Sequence, residues 1–294
     1  MNHVPAIHLT REEPNERNRA IGDILVDSGK LTPDQVALIV QRQKQDNVAF
    51  GEAAMILGLL SKDDILFALA KQYDYAYLNP EDSVLSPDLV VAYKPFSAVG
   101  ENIRAVRAQL ALRWFGPDPL RKALAIVSPL RGEGKSFMAA NLAVAFAQQG
   151  MKTLLIDGDL RTPSQQRIFR LERSPGLSSV LSERVPVTSG IEAVRGLPDL
   201  HVLPAGALPP NPGELLGRPT FSRVMLHAVG NFDVVLVDTP SGDSCSDAEI
   251  IASRTGAAML VTRKNQSLLP RTMKYAQSLK EMGVSMVGSI LNDA

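Results

Sequence analysis

Apolar runs of strand length alternate with helical patterns through the C-terminal part of the sequence. A continuous apolar run indicates a strand that is buried on both faces, and strands separated by helices indicate a parallel sheet. We therefore predict an α/β fold with a mostly parallel sheet covered by helices on both faces, with ligands at the carboxyl ends of the strands. The runs occupy residues 124–128, 153–159, 200–205, 232–238, 257–262 and 286–292.

The first run leads into SPLRGEGKS at residues 128–136, which ends like a phosphate-binding loop. Gly132 and Gly134 allow backbone amides to approach an anion, and the N-terminus of the following helix adds its positive dipole end. Lys135 reaches the terminal phosphates, and the Ser136 hydroxyl is a magnesium ligand. Because strand, loop and helix follow one another as a phosphate site requires, we predict a P-loop NTPase domain.

Carboxylates end two of the other apolar runs. Asp157 and Asp159 lie in LLIDGDLR, where two nearby carboxylates are costly unless a cation or a proton lies between them. Taken alone, this pair is explained equally well by a turn with a helix cap. Asp238 ends the run in LVDTPSG, the position of a carboxylate that holds the water shell of magnesium. Together with the phosphate loop, the two motifs predict a magnesium-nucleotide site.

Composition and charge exclude several classes of protein. Lys+Arg and Asp+Glu both number 31, so there is no overall basic field, and we expect no nucleic-acid partner. The single cysteine, Cys245, rules out an intramolecular disulfide and is expected to be an incidental thiol. The longest apolar stretch, residues 138–147, is far shorter than the roughly 20 residues that span a bilayer. With no recognisable secretory signal, we expect a cytoplasmic protein.

An internal repeat precedes the predicted P-loop domain. IGDILVDSGKLTPDQVALIVQRQ at 21–43 aligns without gaps with FGEAAMILGLLSKDDILFALAKQ at 50–72. Each unit indicates a short helix, a glycine stop, an N-capping Thr or Ser, and a second amphipathic helix, so we predict a small, mainly helical N-terminal domain. The predicted order is a mobile tail (1–19), the helical repeat module (20–78), a proline-bearing linker (79–96) and the P-loop domain (97–294).

The motifs of the P-loop domain resemble those of the bacterial tyrosine kinases associated with polysaccharide chain-length determinants, and among them the EpsG-type subgroup. Their second motif, three apolar residues and D-x-D-x-R, is matched by LLI with Asp157, Asp159 and Arg161. Their loop commonly reads P-G-E-G-K-[ST], so the absence of a glycine at the first position, held here by Pro129, is usual for the family, and only Arg131 departs. Further matches are the oligomerisation motif E-x2-R-x2-R at Glu101, Arg104 and Arg107, and the P-P-N-P-x-E-L-L segment within residues 208–216.

The resemblance implies an ATP- and Mg²⁺-dependent protein-tyrosine kinase that works with a transmembrane chain-length determinant protein in exopolysaccharide biosynthesis and export. It also implies a homo-oligomeric ring that this partner recruits to the inner membrane. Asp157, helped by Asp159, is expected to orient or deprotonate the acceptor hydroxyl, while Lys135 neutralises phosphate charge.

The same resemblance assigns the residues that bind the metal and the nucleotide. Magnesium is expected at Ser136, Asp157 and Asp238. Asn292 corresponds to an asparagine that reads the adenine in related ATPases, although a cap or a turn explains it equally well. The expected nucleotide-binding residues are Arg131, Gly132, Glu133, Gly134, Lys135, Ser136, Phe137 and Asn292.

The tyrosines depart from the family pattern. Members usually continue past the last strand into a tail of clustered tyrosines that are phosphorylated in trans, whereas this sequence ends in SILNDA. Its clustered tyrosines are Tyr73, Tyr75 and Tyr77, whose period of 2 indicates one face of a short strand. We therefore expect weak autophosphorylation and keep two alternatives: a ParA/MinD-like ATPase without significant kinase activity, and a nucleotide-gated scaffold of the export complex.

The N-terminal repeat resembles the small N-terminal domain of type II secretion and pilus assembly ATPases, whose units read R-L-G-x-x-L, then G, then L-x-x-Q. Some of those domains bind cyclic-di-GMP. Ala20 and Ala49 occupy the arginine positions here, and arginine is the residue best suited to bidentate contacts with phosphate or guanine. We therefore expect a docking module and disfavour cyclic-di-GMP binding.

Overall fold

The computed structural model describes residues 19–73, 78, 83–94, 96–116, 118, 121–172 and 175–293. The chain divides into two compact units between Tyr77 and Leu78. Among the described helices, none combines the length and the hydropathy that crossing a bilayer requires.

The N-terminal unit consists of two helix pairs, one for each copy of the repeat. Gly29 and Gly58 end the first helix of each pair with φ of 70° and 66°, a region that favours glycine. Thr32 and Ser61 begin the second helices with capping boxes, in which the side chain accepts from the backbone N–H three residues later. Ala20 and Ala49 are N-cap residues without a side-chain hydrogen bond. The helices are α1 (Ile21–Asp27), α2 (Pro33–Asp46), α3 (Phe50–Ile56) and α4 (Lys62–Gln72).

The second unit is built on a sheet of seven strands within the described residues, in the order β3-β4-β2-β5-β1-β6-β7. Neighbouring strands are parallel except for β3 and β4, which form an antiparallel pair. All six runs in the sequence form strands. The bounds are β1 (Ala123–Val127), β2 (Thr153–Asp157), β3 (Glu192–Val194), β4 (Leu197–Leu203), β5 (Val234–Asp238), β6 (Ala257–Arg263) and β7 (Ser285–Asn292).

Helices cover both faces of this sheet. The helix α7 packs on β1, β2, β4 and β5, and its residues from Met138 to Ala147 are all buried. Side chains of α9 and of α11 to α14 form a core with alternate residues of the strands, among them Ala125 and Val127. The helices are α5 (Val90–Tyr93), α6 (Ala98–Arg113), α7 (Lys135–Ala147), α8 (Gln165–Ile168), α9 (Leu177–Leu181), α10 (Val187–Gly190), α11 (Pro212–Gly217), α12 (Pro219–Asn231), α13 (Asp247–Thr255) and α14 (Leu269–Glu281).

The architecture predicted from the sequence is thus confirmed: an α/β domain with a mostly parallel sheet and helices on both faces. The strand β3 was not expected, because its three residues, EAV, form too short a run to stand out. The strand β3 leads into β4 through a turn at Gly196, where φ is 81°. A short edge strand of this kind is specified by pairing with its neighbour more than by its own pattern.

Residues 83–94, which the sequence analysis assigns to a linker, pack as part of the second unit. The side chain of Asn141 on α7 accepts from the Val91 N–H at 3.1 Å and donates to the Asp88 carbonyl at 2.9 Å. Leu89 and Val91 are fully buried. The polar residue that interrupts the apolar pattern of α7 therefore binds this segment of chain.

Candidate active site

The phosphate loop joins β1 to α7. Gly132 and Gly134 have φ of 82° and 93°, which only glycine adopts readily, and α7 begins at Lys135. A Cβ on Gly134 would lie 2.3 Å from the Asn292 side-chain nitrogen, so a larger residue would have to displace the Asn292 amide. Lys135 is 8% exposed, and its charge acts on the buried Asp238.

Side chains from two other strands hold this loop in place. The Glu133 carboxylate accepts from the Leu130 N–H at 2.7 Å and from the Ser267 hydroxyl. The Asn292 amide donates to the Glu133 carbonyl at 3.2 Å, so Asn292 contacts the loop backbone. Arg263 donates to the Gly132 carbonyl at 3.3 Å.

Ser267 and Arg263 were not predicted from the sequence, because they follow no recognisable motif. Of the other predicted nucleotide-binding residues, Arg131 is exposed and Phe137 is half-buried.

Asp157 and Asp238 end the adjacent parallel strands β2 and β5 in register with each other. Both carboxylates are fully buried. One oxygen of Asp157 accepts from the backbone N–H groups of Ser164 and Gln165 at 3.0 and 2.9 Å, and the other accepts from the Asp159 N–H at 3.2 Å. The two carboxylates therefore form a pair at the carboxyl edge of the sheet, where the sequence placed them.

The pair is electrostatically strained without a cation. Burial, together with the charge of Asp238, raises the pKa of Asp157 to about 8. Burial also raises the pKa of Asp238, although the charge of Lys135 and hydrogen bonds from Gln165 and Ser136 act in the opposite direction. A proton or a cation at this place relieves the repulsion.

Asp159 binds its own loop, and its charge also contributes to the raised pKa of Asp157 and of Asp238. Its carboxylate accepts from the Arg161 N–H at 3.1 Å and from the Thr162 N–H and hydroxyl at 2.8 and 2.9 Å. Arg161 in turn donates to the buried Asp247 at the start of α13 through Nε at 2.8 Å and Nη2 at 3.3 Å. Hydrogen bonds therefore fix both Asp159 and Arg161 in the loop that follows β2. Asp247 is a further residue that was not predicted from the sequence.

Gln165 is another missed residue, and it is completely buried between the two aspartates. Its side-chain nitrogen donates to Asp238 Oδ2 at 2.8 Å and to the Ser136 carbonyl at 3.1 Å. A glutamine in PSQQRIF carries no motif signal, because only the packed loops bring it to the carboxylates.

The oxygens around Asp238 fit a magnesium ion. Asp238 Oδ1 is buried and finds no hydrogen-bond partner among the residues that the structure describes. The hydroxyl of Ser136 and the carboxylate of Asp157 supply further oxygens of the kind magnesium prefers. The described chain holds no cluster of three or more His, Cys, Asp or Glu side chains able to bind a metal unaided. Magnesium keeps several waters and takes phosphate oxygens as ligands, so it needs few oxygens from the protein.

The predicted oligomerisation motif lies on α6, toward the opposite end of α7 from the phosphate loop. Glu101 and Arg104 form an ion pair within this helix. Arg107 donates to the Ala145 carbonyl of α7 at 3.2 Å. The structure therefore brings Lys135, Ser136 and the two aspartates together and leaves the motif of α6 outside this site.

Among the described residues, no cysteine or tyrosine side chain hydrogen-bonds to Lys135, Ser136, Asp157 or Asp238. Burial raises the pKa of the Cys245 thiol, which disfavours the reactive thiolate. Tyr93 and Tyr275 are 7% and 9% exposed, whereas Tyr73, just after α4, is 78% exposed. The other two residues of the predicted tyrosine cluster, Tyr75 and Tyr77, lie outside the described residues.

Comparisons with known proteins agree with this geometry. A family model described as ParA, NUBPL iron-transfer P-loop NTPase, matches residues 119–293. The chain is 34% identical over 210 residues to tyrosine-protein kinase YwqD of Bacillus subtilis, an alignment that covers 71% of this chain and 87% of YwqD. The solved kinase domain of Escherichia coli tyrosine kinase ETK matches with a TM-score of 0.68 and 29% identity, over 74% of this chain and 84% of that domain.

A structure from a neighbouring branch contains a nucleotide. MinD of Pyrococcus horikoshii, complexed with Mg-ADP, matches with a TM-score of 0.52 and 29% identity, over 58% of this chain and 70% of MinD. The match to the ETK kinase domain covers more of this chain and has the higher TM-score. The chain belongs to the family of bacterial tyrosine kinases, within the ParA-like P-loop NTPases.

Proposed function

We propose that this protein is a protein-tyrosine kinase that transfers phosphate from MgATP and acts with a transmembrane chain-length determinant in exopolysaccharide biosynthesis and export. The observation that carries the proposal is the buried pair of Asp157 and Asp238, in register at the strand ends beside Lys135 and Ser136. An ATP-dependent transfer requires a phosphate cradle, a cation site and a group that receives the hydroxyl proton.

The phosphate loop and Lys135 perform the binding step. Backbone amides at Gly132 and Gly134 face the phosphates, and Lys135 neutralises the charge on them. Magnesium, when bound, would neutralise negative charge on the phosphate oxygens. In this proposal Ser136 and Asp238 hold the cation, with Asp157 completing the oxygen set.

In this proposal Asp157 receives the hydroxyl proton of the acceptor tyrosine. The tyrosine oxygen forms a bond to the γ-phosphorus, the bond from that phosphorus to the oxygen of ADP breaks, and the phenolic proton passes to the Asp157 carboxylate. A carboxylate within reach of the acceptor hydroxyl is a suitable group to take its proton. Asp159 and Arg161 stabilise the conformation of the loop that follows Asp157 through their hydrogen bonds.

Family membership supports the partner and the assembly. A ring requires a contact between subunits, and Glu101, whose side chain is 61% exposed, is available on α6 for such a contact. Arg104 and Arg107 are the cationic residues of the same motif. The membrane partner would recruit the ring to the inner membrane.

An ATPase of the ParA/MinD kind is the second candidate function. Two observations favour it: the structural match to MinD with Mg-ADP, and the burial of Tyr93 and Tyr275, which removes both as acceptors. In that case Asp157 would orient a water molecule in place of a tyrosine hydroxyl.

Incubation with γ-labelled ATP separates the two functions. The protein is mixed with MgATP in the presence and absence of the cytoplasmic segment of a chain-length protein, and phosphotyrosine and free phosphate are measured. Phosphotyrosine that depends on Asp157, tested with Asp157→Asn, supports the kinase. Free phosphate alone, at equal rates with and without the partner segment, assigns the protein to the ATPases.

A further inference from the structure

One side chain connects the elements that surround the cation site. Gln165, the first residue of α8, is fully buried. Its Nε2 donates to Asp238 Oδ2 at 2.8 Å, at the end of β5, and to the Ser136 carbonyl at 3.1 Å, in the first turn of α7. Both bonds have lengths typical of well-formed hydrogen bonds.

The backbone of the same residue binds the other aspartate. The Gln165 N–H donates to Asp157 Oδ2 at 2.9 Å. A single residue therefore contacts Asp157 through its backbone and Asp238 through its side chain. Movement of α8 would displace both carboxylates.

Gln165 and Asp238, whose side chains share this hydrogen bond, each have a side-chain oxygen without a hydrogen-bond partner among the described residues. These oxygens, Gln165 Oε1 and Asp238 Oδ1, are both buried. Buried polar atoms without partners are uncommon in proteins and indicate a missing water or ion. A carboxamide oxygen and a carboxylate oxygen are both acceptors for the waters that surround magnesium.

We propose that Gln165 is a positioning residue of the magnesium site. Its amide nitrogen fixes Asp238 Oδ2 and thereby leaves Asp238 Oδ1, together with its own Oε1, for the hydrated cation. The inference rests on the proposed function, because it assumes that the nucleotide binds with magnesium. It adds to that function a residue outside the phosphate loop and the two aspartate motifs.

A glutamine that only fills space would behave differently from a positioning residue. Replacement by methionine keeps the length of the side chain and removes both polar atoms. The matched control is Gln166→Met, since Gln166 is the neighbouring residue of the same type and its side chain donates to the Glu172 carbonyl, away from the aspartates.

The first experiment measures ADP binding by calorimetry as a function of Mg²⁺, with EDTA as the metal-free reference. Because partners outside the first ligand sphere change metal affinity by about 10- to 100-fold, we expect Gln165→Met to raise the half-saturating Mg²⁺ concentration by at least about tenfold. Metal-free ADP affinity should stay within about twofold of wild type, because the phosphate loop is untouched. Gln166→Met should match wild type in both measurements.

The second experiment covers the case in which the methionine variant does not fold. Gln165→Glu keeps the shape and adds a third buried carboxylate, whose repulsion a cation relieves. We expect its thermal unfolding midpoint in EDTA to fall below that of wild type, and the rise on adding Mg²⁺ or Mn²⁺ with ADP to exceed the rise of wild type.

The outcomes separate this inference from the proposed function. Wild-type ADP binding that does not respond to Mg²⁺ overturns both. A magnesium response in wild type that is unchanged in Gln165→Met, or an equal midpoint rise in Gln165→Glu and wild type, overturns the positioning role alone. So does a loss of metal-free ADP binding in Gln165→Met, because that result marks a structural residue of the phosphate loop.

Discussion

Asp157 at the end of β2 lies in register with Asp238 at the end of β5, so two buried carboxylates face the same edge of the sheet. Burial and the neighbouring charge raise the pKa of Asp157 to about 8. The folded protein therefore binds a proton that the unfolded chain, with an ordinary aspartate pKa, releases.

This relationship predicts how stability depends on pH when metal and nucleotide are absent. Since the pKa of Asp157 is higher in the folded state, its contribution to stability is fully present below about pH 4 and is lost as the pH rises through about 8. We expect the free energy of unfolding in EDTA to fall across this window, with a steepest slope of about 1.4 kcal/mol per pH unit for one proton. Urea denaturation of wild type and Asp157→Asn checks it, because the asparagine should flatten the profile. Parallel profiles would contradict the prediction.

Lys135→Ala should reduce ATP turnover by roughly 100-fold or more, because Lys135 is the buried cation of the loop, whereas Arg131, its other cation, is exposed. Nucleotide binding by fluorescence titration and phosphate release are the measurements. Lys152→Ala is the control, since Lys152 precedes β2 at the end away from the site and lies over the Phe232 ring. Turnover that survives in Lys135→Ala would remove the phosphate-loop assignment.

Gly158→Ala should destabilise the loop between the two aspartates of its motif. A Cβ there would lie 2.7 Å from the Asp238 carbonyl oxygen and 2.7 Å from a methyl of Ile251. Crowding of this kind costs about 1–3 kcal/mol of unfolding free energy. Gly116→Ala, which meets no described atom within 4 Å, is the control. Equal chemical-denaturation curves for the two variants would show that the loop relaxes without loss.

Replacing Glu101, Arg104 and Arg107 together by alanine should abolish assembly of a sample that otherwise forms rings, as measured by sedimentation velocity. Glu101→Ala alone tests the interface, because an exposed ion pair on one helix contributes little to the stability of a monomer. Charge pairing between subunits also predicts that assembly weakens as salt increases. An unchanged sedimentation profile for the triple variant would end the oligomerisation hypothesis.

Autophosphorylation should be weak, with most transferred phosphate passing to water or to a partner. Tyr93 and Tyr275 are too buried to reach another active site, and of the described tyrosines Tyr73 alone is well exposed. Phosphopeptide mass spectrometry after incubation with MgATP and activator measures the outcome. Stoichiometric phosphate on Tyr73, Tyr75 or Tyr77, lost when all three become phenylalanine, would show that this segment serves as the acceptor.

The sequence by itself determined six of the seven described strands, the alternation of strands and helices, and the positions of the main charged groups. Apolar runs record which strands are buried on both faces, and the carboxyl ends of parallel strands share one edge. Asp157, Asp238 and the phosphate loop could therefore be placed together before any packing was known.

Tertiary structure alone decided which side chains complete the site. Gln165 and Asp238 are 73 residues apart, and Glu133 and Ser267 are 134 apart, yet each pair forms a hydrogen bond. Residues 83–94 dock on Asn141 in the same way. The periodicity of a sequence reports local burial, whereas a partner so far along the chain is fixed only when loops pack against one another and buried polar groups must be paired.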